Sequence, residues 1–317
     1  MNIDTYPKFA RNTLLLSAAM FAGSGIFLYL RPVRDLFGSG ASLAATAILM
    51  SLLLPLMAAL PYLADAIDRE LKTVSFVRNT ELSELVRPLL KGSGYSVNVG
   101  HYVSNDANAF AISSVFGTKA AIAFSTALIS TASKDQLIAI AAHEVAHVLN
   151  GDSRNKSWVL AFSRWAKTYP LLAAEISRKT LKLWLPMVVV TGGLTFFTLW
   201  TSTGFVSATG FLPGLLRQAA IVGLPLATCV LGFRFVDRYL NKKFFAYSRQ
   251  REFAADALAA TMVSPAVLIS ALELLADPAE TVNVFDSHPP LADRIRRLRK
   301  LAEEQSSKAV PTEAQAS

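Results

Sequence analysis

Charged residues and cysteine are both scarce in this chain, and each scarcity argues against a class of protein. Only 17% of its 317 residues are charged, against roughly 25% in an ordinary soluble domain. This composition argues against a simple soluble enzyme and against a disordered chain. The single cysteine, Cys229, cannot form an internal disulfide, which agrees with a reducing compartment.

The uncharged residues are gathered into blocks of bilayer length. One block covers 12–30, a second covers 36–64, and a third, 183–233, is interrupted only by Arg217. A hydrocarbon core about 30 Å thick needs roughly 20 helical residues, so the third block can cross twice with a turn at 201–210. The pattern predicts a mainly α integral membrane protein with about four transmembrane helices. The alternatives are a signal peptide for the first block and buried core helices for the others.

The polar remainder predicts one globular domain in two parts, 65–182 and 234–301, separated by the membrane hairpin at 183–233. Residues 1–64 form the N-terminal membrane region. We expect 302–317 to be a disordered tail, because these residues hold little that could pack.

Lysine and arginine concentrate beside the third block, at 154–182 and 234–251. Positive charge near span ends marks the cytoplasmic side, so the domain is expected to face the cytoplasm from the plasma (inner) membrane. The short first loop, with Arg31 and Arg34, weakens this inference because it is nearly as basic as the N-terminus. The net charge of +8 therefore indicates topology. No nucleic-acid partner is expected, since no aromatic-rich basic stripe accompanies the charge.

A well-bounded helix is predicted at 134–150. Ser133 and Gln136 suit a capping box at its start, and Gly151 suits the position just past its end. The residues between are strongly apolar, with alanine and leucine well represented.

This helix carries the sequence HEVAH. Residues four apart share a helix face, so His143 and His147 can aim two imidazole nitrogens at one metal ion. Glu144 lies beside them, placed to accept a proton from a water. The alternative is an accidental match of surface or core histidines. However, two of the chain's four histidines fall here, and burying them unpaired would cost free energy.

A catalytic zinc takes three protein ligands and leaves one position open. The clearest third candidate is Glu252, which is four residues before Asp256 in a helix-favouring segment. One carboxylate could bind the metal while the other hydrogen-bonds a ligand imidazole. Taken alone, carboxylates at this spacing usually belong to a solvated helix face.

Four stretches together resemble the HtpX-type membrane zinc metalloproteases, which are related to the CAAX prenyl endopeptidases. They are HEVAHVLNGD at 143–152, SRQREFAAD at 248–256, NAFA at 108–111, and HPP at 288–290 followed by Arg294. The order also matches: two N-terminal spans, the histidine pair, a hydrophobic hairpin, then the glutamate. The resemblance implies a zincin-like α+β metalloprotease domain that carries a small β-sheet and binds one zinc ion.

By this resemblance the zinc ligands would be His143, His147 and Glu252, with Glu144 as the general base. Asp256 would hydrogen-bond a ligand imidazole without touching the metal. Glu144 would take a proton from the attacking water and return it to the leaving amine.

The NAFA stretch implies an edge strand on which Asn108, Ala109 and Phe110 bind extended substrate. Independently, residues 108–124 contain two short apolar runs around Gly117, which predicts a hairpin. A free edge would offer unpaired N–H and C=O groups to a peptide. An ordinary buried hairpin is the alternative.

His288 precedes two prolines and could donate a hydrogen bond to the oxyanion as a second catalytic residue, with Arg294 binding substrate or bracing the loop. The alternative is a surface histidine in a turn. The chain departs from the family pattern at Phe253, where tyrosine is common, and at 112–113, where Ile-Ser replaces Thr-Gly. These changes bear on substrate contacts and not on the metal site.

We therefore predict a membrane-bound zinc metalloendopeptidase that hydrolyses peptide bonds in membrane or membrane-proximal proteins, in protein quality control under stress. Its partners would be protein substrates and the lipid bilayer. An intramembrane protease is disfavoured because charged residues flank the histidine helix and the predicted spans contain no aspartate. A transporter is disfavoured because no ionisable residue lies mid-span. The remaining alternative is a non-catalytic membrane scaffold or adaptor with a structural metal site, which would want a fourth protein ligand.

Overall fold

Two apolar helices form the N-terminal part of the fold. The computed structural model describes residues 5–64, 66–275 and 288–309. Helices α1 (Thr5–Tyr29) and α3 (Gly40–Ala59) are joined by the short α2 (Arg31–Phe37), and a 3-10 turn, Leu60–Tyr62, follows α3. Many large apolar side chains of α1 and α3 are exposed. Helices that are apolar all round and uncovered by protein are typical of membrane spans.

A second pair of apolar helices forms a long hairpin. Helices α8 (Asp152–Thr203) and α10 (Leu212–Met262) contact each other along their length and are joined by α9 (Phe205–Gly210). The chain therefore turns within the predicted stretch at 201–210. All four predicted spans coincide with helices long and apolar enough to cross a membrane. Both helices continue past the predicted ends of the hairpin at 183 and 233, so the apolar hairpin joins the polar segments through unbroken helix.

A four-stranded sheet, in the order β1-β2-β4-β3, forms the β part of the polar domain. Strands β2 and β4 are parallel, whereas β3 pairs with β4 in the antiparallel sense. The hairpin predicted around Gly117 is therefore confirmed, and β3 lies at an edge of the sheet. The strands are β1 (Val77–Arg78), β2 (Ser96–Tyr102), β3 (Ala109–Ser113) and β4 (Lys119–Ser125).

Helix α7 (Lys134–Leu149) carries the histidine pair and packs in the main core. The predicted capping box is present: Gln136 N–H donates to Ser133 Oγ at 3.3 Å, and Ser133 N–H donates to Gln136 Oε1 at 2.9 Å. Apolar side chains of β4 and α7 are completely buried together. This packing fixes α7 against the sheet, because loss of such buried side chains costs several kcal/mol each.

Short helices complete the polar domain, and one of them corrects a prediction. Helix α12 (Leu291–Ala309) continues through 302–309, where a disordered tail was expected. Leu298 and Leu301 hold one face of α12 on the core, and the helix propagates from that contact into the polar residues beyond. Residues 310–317 lie outside the described residues. The other helices are α4 (Ala66–Thr73), α5 (Thr80–Val86), α6 (Thr126–Thr131) and α11 (Pro265–Leu274).

Candidate metal centre

The imidazoles of His143 and His147 face each other from successive turns of α7. Their Nε2 atoms are 3.1 Å apart, and their rings are nearly perpendicular at 86°. His143 and the adjacent Glu144 are both buried. The four-residue spacing therefore aims two ligand nitrogens at one point, as the sequence predicted.

Helix α10 brings Glu252 to the same point. One carboxylate oxygen is 3.5 Å from His143 Nε2, and the other is 3.5 Å from His147 Nε2. A tetrahedral ion held at about 2.0–2.1 Å separates its ligand atoms by roughly 3.3 Å. The measured separations are close to this value, and one ligand atom from each of the three residues lies within 4.8 Å of the other two, so the group could hold one metal ion. Within the part of the chain that the structure describes, Glu252 Oε2 is buried without a hydrogen-bond partner, as expected of an atom kept for a metal.

The other ring nitrogen of each imidazole meets a carboxylate. Asp256 Oδ1 is 3.0 Å from His143 Nδ1, and Asp152 Oδ2 is 2.7 Å from His147 Nδ1. The Asp152 contact is a hydrogen bond, which fixes the tautomer of His147 with Nε2 free to bind a metal and raises its basicity. The Asp256 contact is a close charge contact that favours the same tautomer of His143, although its geometry is not that of a hydrogen bond.

An arginine holds each of these two carboxylates in turn. Arg294 donates from Nε and Nη2 to both oxygens of Asp256, at 2.8 and 2.6 Å. Arg251 binds the second oxygen of Asp152. The two-bond fork of Arg294 is geometrically specific, and the Arg251 bond holds Asp152, so each imidazole contacts a carboxylate that is itself held in place.

Gly151 explains how Asp152 reaches His147. Gly151 ends α7 with φ of 66°, a left-handed conformation that glycine adopts at little cost. The chain reverses direction there, and α8 starts at Asp152 with its carboxylate directed back at α7. Asp152 was not assigned a role from the sequence. Its signal was the Gly-Asp pair directly after the histidine helix.

The negative charges of the buried carboxylates favour a cation in the site. Burial opposes protonation of His143, but its contacts with Asp256 and Glu252 outweigh burial and raise its pKa to about 10. Two buried carboxylates thus demand positive charge between them, and a divalent ion bound by the three ligand atoms would supply it. The residues present therefore fit a zinc ion.

A cavity of about 280 Å³ opens beside the three candidate ligand residues. Glu144 lines it together with the predicted substrate residues Asn108, Ala109 and Phe110. His288 also lines it, with a side chain 66% exposed and Nδ1 3.3 Å from Glu252 Oε2.

Other residues contribute to the site in ways that the sequence did not indicate. Arg294, predicted to bind substrate or brace a loop, is held against Asp256 and does not line the cavity in the described part of the chain. Arg251, Ser153, Lys156 and Tyr247 line it without having been predicted. Only the fold brings them there, because none belongs to a spacing typical of a metal or catalytic site.

Strand β3 presents half of its backbone groups to this cavity. Ser125 N–H donates to Asn108 O, and Ser114 N–H donates to Lys119 O, so the even-numbered residues of β3 are bonded to β4. The N–H and C=O groups of Ala109 and Ala111 therefore point to the free edge, and both residues line the cavity. An extended peptide could pair with them.

Four membrane-length helices, a largely buried His-His-Glu group and an open sheet edge define the class of membrane metalloproteases. Comparison with known proteins agrees. The family model described as Peptidase family M48 matches residues 77–302. This chain belongs to peptidase family M48, so the predicted resemblance is confirmed.

Individual relatives of this chain are named as proteases. Protease HtpX of Tolumonas auensis is 30% identical over 221 residues, which cover 64% of this chain and 66% of that protein. Protease HtpX of Glaesserella parasuis is 30% identical over 220 residues, covering 64% and 67%. A Protease HtpX homolog of Bacillus pumilus is 28% identical over 239 residues, covering 69% of each. The matched region thus spans about two thirds of these relatives.

Among solved structures, the crystal structure of S. mikatae Ste24p superposes with a TM-score of 0.48 and 17% identity. The superposition covers 90% of this chain and 66% of that one.

Proposed function

We propose that this chain is a zinc-dependent metalloendopeptidase that hydrolyses peptide bonds in membrane or membrane-proximal proteins, in protein quality control. The observation that carries the proposal is the close grouping of His143, His147 and Glu252, with ligand atoms within 4.8 Å of one another, beside a cavity lined by Glu144 and a free strand edge. A metal site for structure alone would be closed by a fourth protein ligand. Here the group faces an open cavity, which disfavours the scaffold alternative.

Each residue would have a defined part in the reaction. When bound, a zinc ion supplies Lewis-acid chemistry, polarising the scissile carbonyl and making water a stronger acid. The Glu144 carboxylate accepts the proton of the attacking water and, once protonated, donates it to the leaving amine. Asp256 and Asp152 hold the two imidazoles in the ligand tautomer. His288, at the cavity rim, donates a hydrogen bond to the developing oxyanion.

Substrate would be held as an additional strand on β3. The outward N–H and C=O groups of Ala109, and the outward N–H of Ala111, pair with the peptide backbone, which positions the scissile bond independently of its side chains. Tyr247 lines the cavity, and its ring centroid is 6.1 Å from that of Tyr6 at the start of span α1. This contact supports substrates that are in or near the membrane.

The proposed location is the inner membrane, with the two-part polar domain of 65–182 and 234–301 on the cytoplasmic face. The basic segments that flank the hairpin support this orientation. Labelling of single cysteines placed in the polar domain, in intact cells and in inverted vesicles, would test it. Labelling in intact cells alone would contradict it.

Glu144→Gln tests the proposed chemistry. The amide cannot accept the proton of water, so casein cleavage should fall by about 100-fold or more, while zinc content of the detergent-purified protein stays at the wild-type level. Glu175→Gln is the matched control, because Glu175 pairs with Arg178 on α8 outside the cavity. Undiminished cleavage by the Glu144→Gln protein, or wild-type protein without zinc, would refute the proposal.

A further inference from the structure

At the Ala111 end of β3, the free edge of the strand is covered by a side chain of α8, Ser153. Ser153 Oγ donates to the outward carbonyl oxygen of Ala111 at 3.1 Å. A peptide strand added to β3 can therefore use the groups of Ala109 without competition, but it meets Ser153 when it reaches Ala111. From that point a bound peptide would continue beside the first turns of α8, where Ser153 and Lys156 line the cavity.

Lys156 stands at that point of the groove. It is three residues after Ser153, so the two side chains share one face of α8 about a turn apart. Both line the cavity, and Lys156 is exposed.

Within the cavity, no described carboxylate pairs with the positive charge of Lys156. Among the described residues, one other side chain that lines the cavity carries a full positive charge. It is Arg251, and it is bound to Asp152. The carboxylates of Asp152 and Glu252 face the imidazoles, and among the described residues the third lining carboxylate, Glu144, makes no ion pair with Lys156. In the described ranges Lys156 has neither an ion pair nor a hydrogen bond from its ammonium group.

We propose that Lys156 forms a subsite for an acidic side chain of the substrate, at the position where the bound peptide leaves β3. This inference rests on the proposed peptidase function and names a preference of the same site. An extended peptide that pairs with Ala109 is carried past Ser153 to the ammonium group, where a glutamate or aspartate side chain neutralises it. An exposed ion pair changes affinity roughly two- to fivefold. Exchanging that attraction for a repulsion makes the preference for glutamate over lysine about tenfold.

The test measures kcat/KM for a peptide series in which one residue is glutamate, glutamine or lysine, walked through each position beside the cleaved bond. The full chain is used in an uncharged detergent. Wild-type protein should prefer glutamate over lysine about tenfold at one position. Lys156→Met should bring that ratio near one, and Lys156→Glu should invert it. The preference should shrink in about 1 M salt, where the screening length is only about 3 Å.

Lys119→Glu is the matched control, because Lys119 is an exposed lysine at the start of β4 that does not line the cavity. Its ratio should equal that of wild type. A Lys156→Glu protein with the wild-type ratio would overturn the inference. So would a change seen only in nanodiscs of anionic lipid, which would assign Lys156 to headgroup contact. Cleavage with no acidic preference defeats this inference alone, whereas a wild-type protein that cleaves no peptide defeats the proposed function as well.

Discussion

Asp152→Asn is the most informative change at the metal centre, because it alters one charge without altering shape. The Asp152 carboxylate is 2.7 Å from His147 Nδ1 with one oxygen and binds Arg251 with the other. Asparagine keeps one carbonyl oxygen but loses the charge that favours the ligand tautomer of His147. It also leaves the guanidinium of Arg251, 14% exposed, without its carboxylate.

The expected loss can be bounded. Removing an outer partner of a ligand imidazole costs about 10- to 100-fold in metal affinity, which is roughly 1.4 to 2.8 kcal/mol. Chelator competition on detergent-purified protein measures this directly as a shift in the zinc dissociation constant. Asp256→Asn should also weaken zinc binding, because Asp256 Oδ1 lies 3.0 Å from His143 Nδ1.

Asp237→Asn is the matched control. Asp237 also joins α8 to α10, through Lys167 Nζ at 2.6 Å, but lies away from the cavity. Its replacement should leave zinc affinity unchanged. Equal zinc affinity in Asp152→Asn and wild type would refute the reasoning, and so would an equal loss in Asp237→Asn, which would make the effect one of helix packing.

Two further changes test the strand edge and the sheet. Ala111→Pro removes an outward N–H and spares the pairing with β4, so KM for extended peptides should rise roughly two- to tenfold. Phe110→Pro removes an N–H that faces β4, so it should lower the melting temperature instead. Identical behaviour of the two variants would contradict the register. Gly100→Ala would place a Cβ 2.1 Å from the carbonyl oxygen of Val77, so thermal unfolding should show that the free energy of unfolding falls by about 1–3 kcal/mol. Gly193→Ala is the control, because Gly193 has open space around it, and its free energy of unfolding should not fall comparably. A Gly100→Ala protein as stable as wild type would refute the close approach.

The membrane helices and the histidine helix were predictable because their signals are local. Missing charge over bilayer length identifies a span whatever it packs against. A capping box at Ser133 and a glycine at position 151 mark the ends of α7 independently of the rest of the fold. The four-residue spacing of His143 and His147 predicts a pair of metal-binding imidazoles for the same reason, since it is a local signal.

The outer contacts of the site were not predictable, because they depend on where separate elements meet. Asp152 needs the left-handed turn at Gly151 to reach His147, and Arg251 needs α10 to run beside α8. Nothing in the spacing of these residues distinguishes them from ordinary surface charges. The extension of α12 was missed because Leu298 and Leu301 stabilise the helix before the polar residues begin.

The long hairpin of α8 and α10 is part of the construction of the metal centre as well as a membrane anchor. Asp152 opens α8, Glu252 and Asp256 lie on α10, and Arg251 of α10 binds Asp152 of α8. Separating the two helices would therefore remove the proposed third ligand, Glu252, and the orienting carboxylate of His147 together. A chain in which 183–233 is replaced by a flexible linker should bind zinc more weakly than the full chain in the same chelator competition. Equal affinity would mean that the polar contacts alone hold the two helices in place.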